Sequence, residues 1–131
     1  MQFDAKNKRD NALLEKVTLS HFNKNHPGYA ILKLEQKIHL TTKEGIRFLS
    51  IDKKPLGKSK NALQFFEKTL ITPGKHRVEF CKFTQLFFRK VPIGTEDFKK
   101  EFLFHFDKNT TYYVTFEEKG NLKQFNIRKI S

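Results

Sequence analysis

Apolar and polar residues alternate along most of the chain after Tyr29, and a period of two is the pattern of extended strands. The run 110–116 has the strongest β propensity in the sequence. Turn residues interrupt the alternation about every 8–12 residues, as in sandwiches and barrels. The pattern therefore predicts an all-β protein, an antiparallel sandwich of seven or eight strands, with no helices between the strands to support a parallel sheet.

The phase of the alternation predicts which side chains form the core. Fifteen phenylalanines, with three tyrosines and no tryptophan, supply the apolar area that two stacked sheets need. Tyr113, Phe87 and Phe65 fall on the opposite face of their strands. The positions predicted to point inward are Leu32, Leu34, Ile38, Leu40, Ile46, Phe48, Ile51, Val78, Phe80, Phe98, Phe102, Phe104 and Phe106.

The first 28 residues differ from the rest and are predicted to form an N-terminal extension, followed by one sandwich domain over residues 29–131. Asp10 and Asn11 suit the start of a short helix that runs through Leu13, Leu14 and Val17. The run VTLSHF at 17–22 suits an edge strand equally well. A clear turn at 25–28 ends the extension.

Positive charge is concentrated in the middle of the chain. The formal net charge is +12, and residues 31–90 hold 14 Lys and Arg against 5 Asp and Glu. Such a surplus predicts a basic face that attracts nucleic acid, anionic lipid or an acidic protein. A lysine-rich background composition is the alternative, since the lysines occur singly or in pairs.

The side chains that carry enzyme chemistry do not occur in recognisable patterns. Gly57-Lys58-Ser59 resembles the end of a phosphate-binding loop, but Asp52 replaces the first glycine and Pro55 removes a backbone donor. The five histidines lack metal-ligand spacing, and Cys81 as the single cysteine allows neither an intrachain disulfide nor a cysteine-based zinc site. We therefore expect no enzyme activity, no cofactor and no metal, with Cys81 a packed or half-exposed structural thiol.

Three segments carry a family resemblance: IDKKPLGK at 51–58, LITPGKHRVEF at 70–80 and the later run 98–117. Together they resemble the PEGA-type, prealbumin-like β-sandwich modules of bacterial envelope proteins. The matching positions are Ile51, Asp52, Pro55, Gly57, Leu70, Pro73, Gly74, Lys75, His76, Val78, Phe80 and Tyr113. Lys53 replaces the usual turn glycine, and the insertion 81–96 lengthens the next connection. The resemblance implies a seven-stranded sandwich that acts as a non-catalytic binding or scaffolding module.

These observations predict a module that engages a macromolecular partner, another protein or an envelope polymer, through a basic, loop-rich face. The alternatives are binding of nucleic acid, which is less favoured because most phenylalanines are predicted to be internal, binding of an anionic membrane surface, or carriage of a small ligand at the sandwich mouth near His105. No export signal follows Met1, so the compartment is the cell envelope only if a signal was removed and otherwise the cytoplasm. The predicted partner-binding residues are Lys53, Lys54, Lys58, Lys60, Lys75 and Arg77.

Overall fold

The computed structural model describes residues 8–65, 68–88 and 91–130, and these residues form one α-helix and ten β-strands packed as a sandwich. The all-β sandwich predicted from the alternation is confirmed. The elements are α1 (Lys8–Asn25), β1 (Ala30–Leu34), β2 (Gln36–Ile38), β3 (Thr42–Ile51), β4 (Lys54–Pro55), β5 (Ala62–Phe65), β6 (Lys68–Ile71), β7 (Gly74–Phe88), β8 (Val91–Phe106), β9 (Thr111–Lys119) and β10 (Leu122–Lys129), with a 3₁₀ turn at Leu56–Lys58.

The predicted number of strands, seven or eight, was too low. The described residues of 62–71 form two antiparallel strands, β5 and β6, that pair with each other. The short strands β2 and β4 add two more to the described total. Short strands are difficult to predict because two or three residues are too few to show a period.

The strands form two sheets. Sheet I has the order β10-β9-β1-β6-β5, and sheet II has the order β2-β3-β7-β8, with β4 paired to β3. Most neighbours are antiparallel, but β1 and β9 are parallel, with Ile31 opposite Thr111. This parallel pair departs from the predicted antiparallel arrangement. It requires no crossover helix, because the whole of sheet II and strands β5 and β6 lie between β1 and β9 in the sequence.

The core lies between the sheets and contains most of the predicted inward residues. Phe80, Val78, Ile51 and Phe106 are fully buried, and the Phe80 ring packs edge-on against Phe48. A bulge between Phe48 and Ser50 shifts the register of β3. The other buried members of the core are Ala30, Leu32, Ile46, Ala62, Ile71, Tyr112 and Val114, with Leu34, Phe102 and Phe104 packed at its margin.

The prediction that Ile38 and Leu40 point into the core is wrong, because these side chains are 77% and 100% exposed. The chain changes sheets at Glu35. Its backbone N–H donates to the Val114 carbonyl in sheet I, and its carbonyl accepts from Ile46 N–H in sheet II. The residues that follow therefore belong to a different strand, and the phase established in β1 no longer places them inside.

The N-terminal extension is a helix over Lys8–Asn25, so the alternative of an edge strand is wrong. The helix already includes Asp10 and Asn11, which were predicted to cap it. It lies on the outer face of sheet I, where Glu15 pairs with Lys68 at 2.7 Å and Phe22 packs edge-on against Tyr29. Among the described helical residues, no segment has both the length and the apolar character needed to span a bilayer.

Candidate functional site

Two turns at one end of sheet II carry the predicted basic residues. The first joins β3 to β4 through Asp52 and Lys53, whose φ angles are 50° and 69°. Ile51 pairs with Lys54 across it, and two central residues with positive φ define the tight type I′ hairpin. Aspartate accepts this left-handed conformation more readily than most residues, whereas Lys53 occupies it without the freedom of glycine.

The second turn joins β6 to β7, and the strand that follows it is hydrogen-bonded to the first turn. Asp52 N–H donates to the Arg77 carbonyl at 2.7 Å, and Arg77 N–H donates to Asp52 Oδ1 at 3.0 Å. Gly74 begins β7 with a φ of 118°, a region open mainly to glycine. Asp52 therefore joins the first turn to the start of β7 through one backbone–backbone hydrogen bond and one hydrogen bond to its side chain.

A nearly buried histidine strengthens this connection. The residue His76 is 8% exposed; its Nδ1 lies 2.6 Å from Asp52 Oδ2, and its Nε2 lies 2.8 Å from the Thr72 carbonyl oxygen. A neutral imidazole has one N–H, so only the protonated ring can donate to both oxygens at once. Thr72 Oγ1 is 3.1 Å from Nε2 and provides a further partner.

Asn61 joins the loop before β5 to the same group of side chains. Its Nδ2 donates to Asp52 Oδ2 at 3.3 Å, and its carbonyl accepts from Thr72 N–H at 2.9 Å. Ser59 Oγ accepts from Asn61 N–H at 3.1 Å. We call His76, Asp52, Thr72 and Asn61 the loop latch, because together they link the connections β3–β4, β4–β5 and β6–β7.

The carboxylate of Asp52 is held in its charged form within the loop latch. Partial burial acts to raise its pKa, but the hydrogen bond from Arg77 N–H and the bond and charge of His76 outweigh that effect, and the pKa is lowered from its ordinary value of 3.8. Hydrogen bonds to the charged form have this effect in general. The aspartate of the latch is therefore ionised at neutral pH.

The six predicted basic residues lie on or beside the latched turns, but they do not behave alike. Lys53 and Arg77 both approach Glu101 on β8, at 2.7 and 3.4 Å, and the hydrogen bond from Lys53 is the main cause of the lowered pKa of Glu101. The side chains of the other four are exposed and make no hydrogen bond or ion pair with the described residues. They are Lys54, Lys58, Lys60 and Lys75. We call these four the free lysines.

Sequence reasoning found the turns and their lysines but missed the loop latch and the role of Glu101. Asp52 and His76 are 24 residues apart, and neither has a recognisable motif around it. The available signal was indirect: Asp52 and His76 both occupied positions in the turn-forming segments that carried the family resemblance. Only the pairing of β3 with β7, which sets Ile51 opposite Val78, brings them together.

Two other side chains that the sequence singled out, His105 and Cys81, lie outside the loop latch. His105 lies on the outer face of sheet II, opposite Lys75, with its ring 3.4 Å from Asp107. Cys81 is buried, and burial raises the pKa of its thiol, which disfavours the reactive thiolate. Within residues 8–65, 68–88 and 91–130, no three His, Cys, Asp or Glu side chains come together as a metal site would require.

An open cleft of about 440 Å³ lies between α1 and sheet I, and the side chains around it are uncharged. Its lining is formed by Leu19, Ser20, Asn23, Tyr29, Ile31, Asn109, Thr110 and Thr111.

Comparison of the chain with protein-family models, with curated proteins and with solved structures finds no match.

Proposed function

We propose that this chain is a non-catalytic binding module whose basic loop face engages an acidic protein partner. The observation that carries the proposal is the loop latch, which holds three connections in one arrangement through a buried histidine and an ionised aspartate. A site whose loops are already ordered loses less conformational entropy when a partner binds. The latch thus fixes, before a partner binds, the connections on or beside which the free lysines lie.

The basic residues of this face form two groups, those that pair with an acidic side chain and those that do not. Lys53 and Arg77 face Glu101, whereas the free lysines make no ion pair with the described residues. Exposed ion pairs contribute little to affinity individually, but an uncompensated basic patch accelerates encounters with an acidic partner. We therefore expect binding that is fast and that weakens strongly as salt is added.

The resemblance to PEGA-type, prealbumin-like modules supports the same proposal, together with residence in the cell envelope. Its turn-forming positions Asp52, Gly74 and His76 are the ones that build and latch the two turns. The two-sheet architecture agrees with such a module, although one fold hosts many functions. We therefore base the proposed binding of acidic residues on the loop face and not on the resemblance.

Charge reversal of the free lysines tests the proposal. The variant Lys54→Glu, Lys58→Glu, Lys60→Glu, Lys75→Glu is compared with a control that reverses four exposed lysines elsewhere: Lys16→Glu, Lys24→Glu, Lys99→Glu, Lys119→Glu. Both variants lower the net charge equally. The probe is a fluorescent polyglutamate peptide, and its affinity is measured by anisotropy from about 50 to about 300 mM NaCl.

We expect the loop variant to bind the peptide at least about tenfold more weakly than the control at low salt. Equal losses in the two variants would show that net charge alone, and no particular face, attracts the peptide. An oligonucleotide of the same charge that binds the wild-type protein more tightly, again through the free lysines, would replace the proposal with the nucleic-acid alternative. Circular dichroism of both variants establishes that the fold is retained.

A further inference from the structure

The cleft between α1 and sheet I has a neutral and polar lining. Although 31% of the chain's residues are charged, none of the eight residues that line this cleft is. Six of the eight carry a hydroxyl or an amide group, and the other two, Leu19 and Ile31, are apolar. The cleft volume of about 440 Å³ lies within the range of roughly 300–1,000 Å³ that small-ligand sites occupy. The cleft therefore has the size of a ligand site and presents hydrogen-bonding groups without charge.

Hydrogen bonds hold the walls of the cleft together. At the end of α1, Asn23 Oδ1 accepts from Gly28 N–H at 3.2 Å. Asn109 N–H donates to the Gly28 carbonyl at 3.0 Å, and Ile31 N–H donates to the Thr110 carbonyl at 3.0 Å. These bonds join the helix, the start of β1 and the β8–β9 turn. A site whose walls are already in place loses little conformational entropy when a ligand binds.

Several polar side chains in the cleft are available to a ligand. Those of Ser20, Asn109 and Thr111 make no hydrogen bond with the described residues. The same holds for the hydroxyl of Tyr29, whose ring packs edge-on against Phe22 with the ring centroids 5.5 Å apart. Hydroxyl and amide groups both donate and accept hydrogen bonds. The cleft therefore offers donors and acceptors beside an aromatic ring that is fixed in place.

We propose that this cleft binds a neutral saccharide. A charged ligand would lose part of its hydration there without meeting a side chain of opposite charge. An apolar ligand would cover the side chains of Asn109 and Thr111 and leave them without hydrogen bonds, which is costly. A sugar avoids both costs, because its hydroxyls donate and accept while its C–H groups pack against the Tyr29 ring and Ile31. The cleft is open to solvent, so a longer saccharide chain can extend out of it.

Titration with neutral saccharides tests the proposal. Isotopically labelled full-length protein is titrated with maltotetraose, cellotetraose, mannotetraose and the tetramer of N-acetylglucosamine, and its amide chemical shifts are followed by NMR. Tetragalacturonate, an acidic saccharide of the same length, is the control ligand. We expect at least one neutral tetramer to bind saturably with a Kd below about 10 mM and to shift the amides of Tyr29, Thr110 and Thr111 most. Tetragalacturonate should not shift these amides.

Two pairs of variants locate the binding. Asn109→Gly, Thr111→Val removes two polar groups from the cleft, and glycine suits the φ of 53° at the first position. Its control, Asn121→Gly, Thr95→Val, makes the same changes at exposed positions outside the cleft. We expect the cleft pair to weaken binding of the neutral tetramer at least about tenfold and the control pair to leave it unchanged. Thr111→Tyr fills the cleft and should abolish binding, whereas Thr95→Tyr should not.

Three results would overturn the proposal. The first is that no neutral tetramer binds with a Kd below about 10 mM. The second is that the cleft variants bind the tetramer as tightly as their controls do. The third is that tetragalacturonate shifts the cleft amides or binds more tightly than the neutral tetramers. Circular dichroism shows whether each variant is folded. The cleft shares no residue with the loop latch or the free lysines, so the test is independent of the proposed binding of an acidic protein.

Discussion

The loop latch makes a quantitative prediction about stability. Asp52→Gly removes the acceptors for Arg77 N–H, His76 and Asn61. Glycine adopts the positive φ of this position without strain. This gain offsets much of the stability that is lost because glycine has more conformational entropy in the unfolded chain. His76 is then left nearly buried with an unmet donor, which costs about 1–3 kcal/mol. We expect the free energy of unfolding to fall by about 2 kcal/mol.

The variant Asp52→Asn removes the charge and one of the two acceptor oxygens. When its single side-chain oxygen accepts from Arg77 N–H, its NH2 group takes the place of Oδ2, which accepts from His76 and Asn61 in the wild type. The Asp52 side chain is 37% exposed, so solvent screening reduces the electrostatic part of this loss. We expect Asp52→Asn to lose about as much as Asp52→Gly, about 2 kcal/mol.

Urea unfolding followed by circular dichroism measures both losses, with Glu118→Gln as a control on an exposed pair separated by 3.9 Å. The pKa of Asp52 is lowered in the folded protein, so its stabilising contribution is complete above the ordinary value of 3.8 and is lost as the pH falls through the folded value. The difference between wild type and Asp52→Asn should therefore shrink below pH 3.8. If the Asp52 variants match the control, or the difference does not change with acid, the latch does not act as an ionic connection.

The remaining predictions concern the core. Tyr112→Phe removes the hydroxyl that accepts from Asp107 N–H at 2.8 Å and should lower the free energy of unfolding by about 1 kcal/mol; an unchanged urea midpoint would contradict this role. Phe80→Ala empties a fully buried site and should cost about 3–5 kcal/mol in the same assay, whereas a loss below about 1 kcal/mol would contradict the described packing. The raised pKa and burial of Cys81 predict labelling by a thiol reagent at least roughly 100-fold slower than in urea; fast native labelling would contradict its position.

The sequence pattern predicted the core well wherever a strand stays in one sheet. Ile46 and Phe48 on β3, and Val78 and Phe80 on β7, have the burial that their alternation indicates. A period of two reports which residues share a face, and in these strands one face is the core. That inference needs no knowledge of which strands are neighbours.

Prediction failed where tertiary pairing overrides the local phase. Ile38 continues the alternation of Leu32 and Leu34, but the chain has already passed from sheet I to sheet II at Glu35. The loop latch was out of reach for a similar reason, since the register of β3 against β7 brings Asp52 to His76. Turn chemistry placed the basic residues near one another, but only the paired strands determine which of them face Glu101.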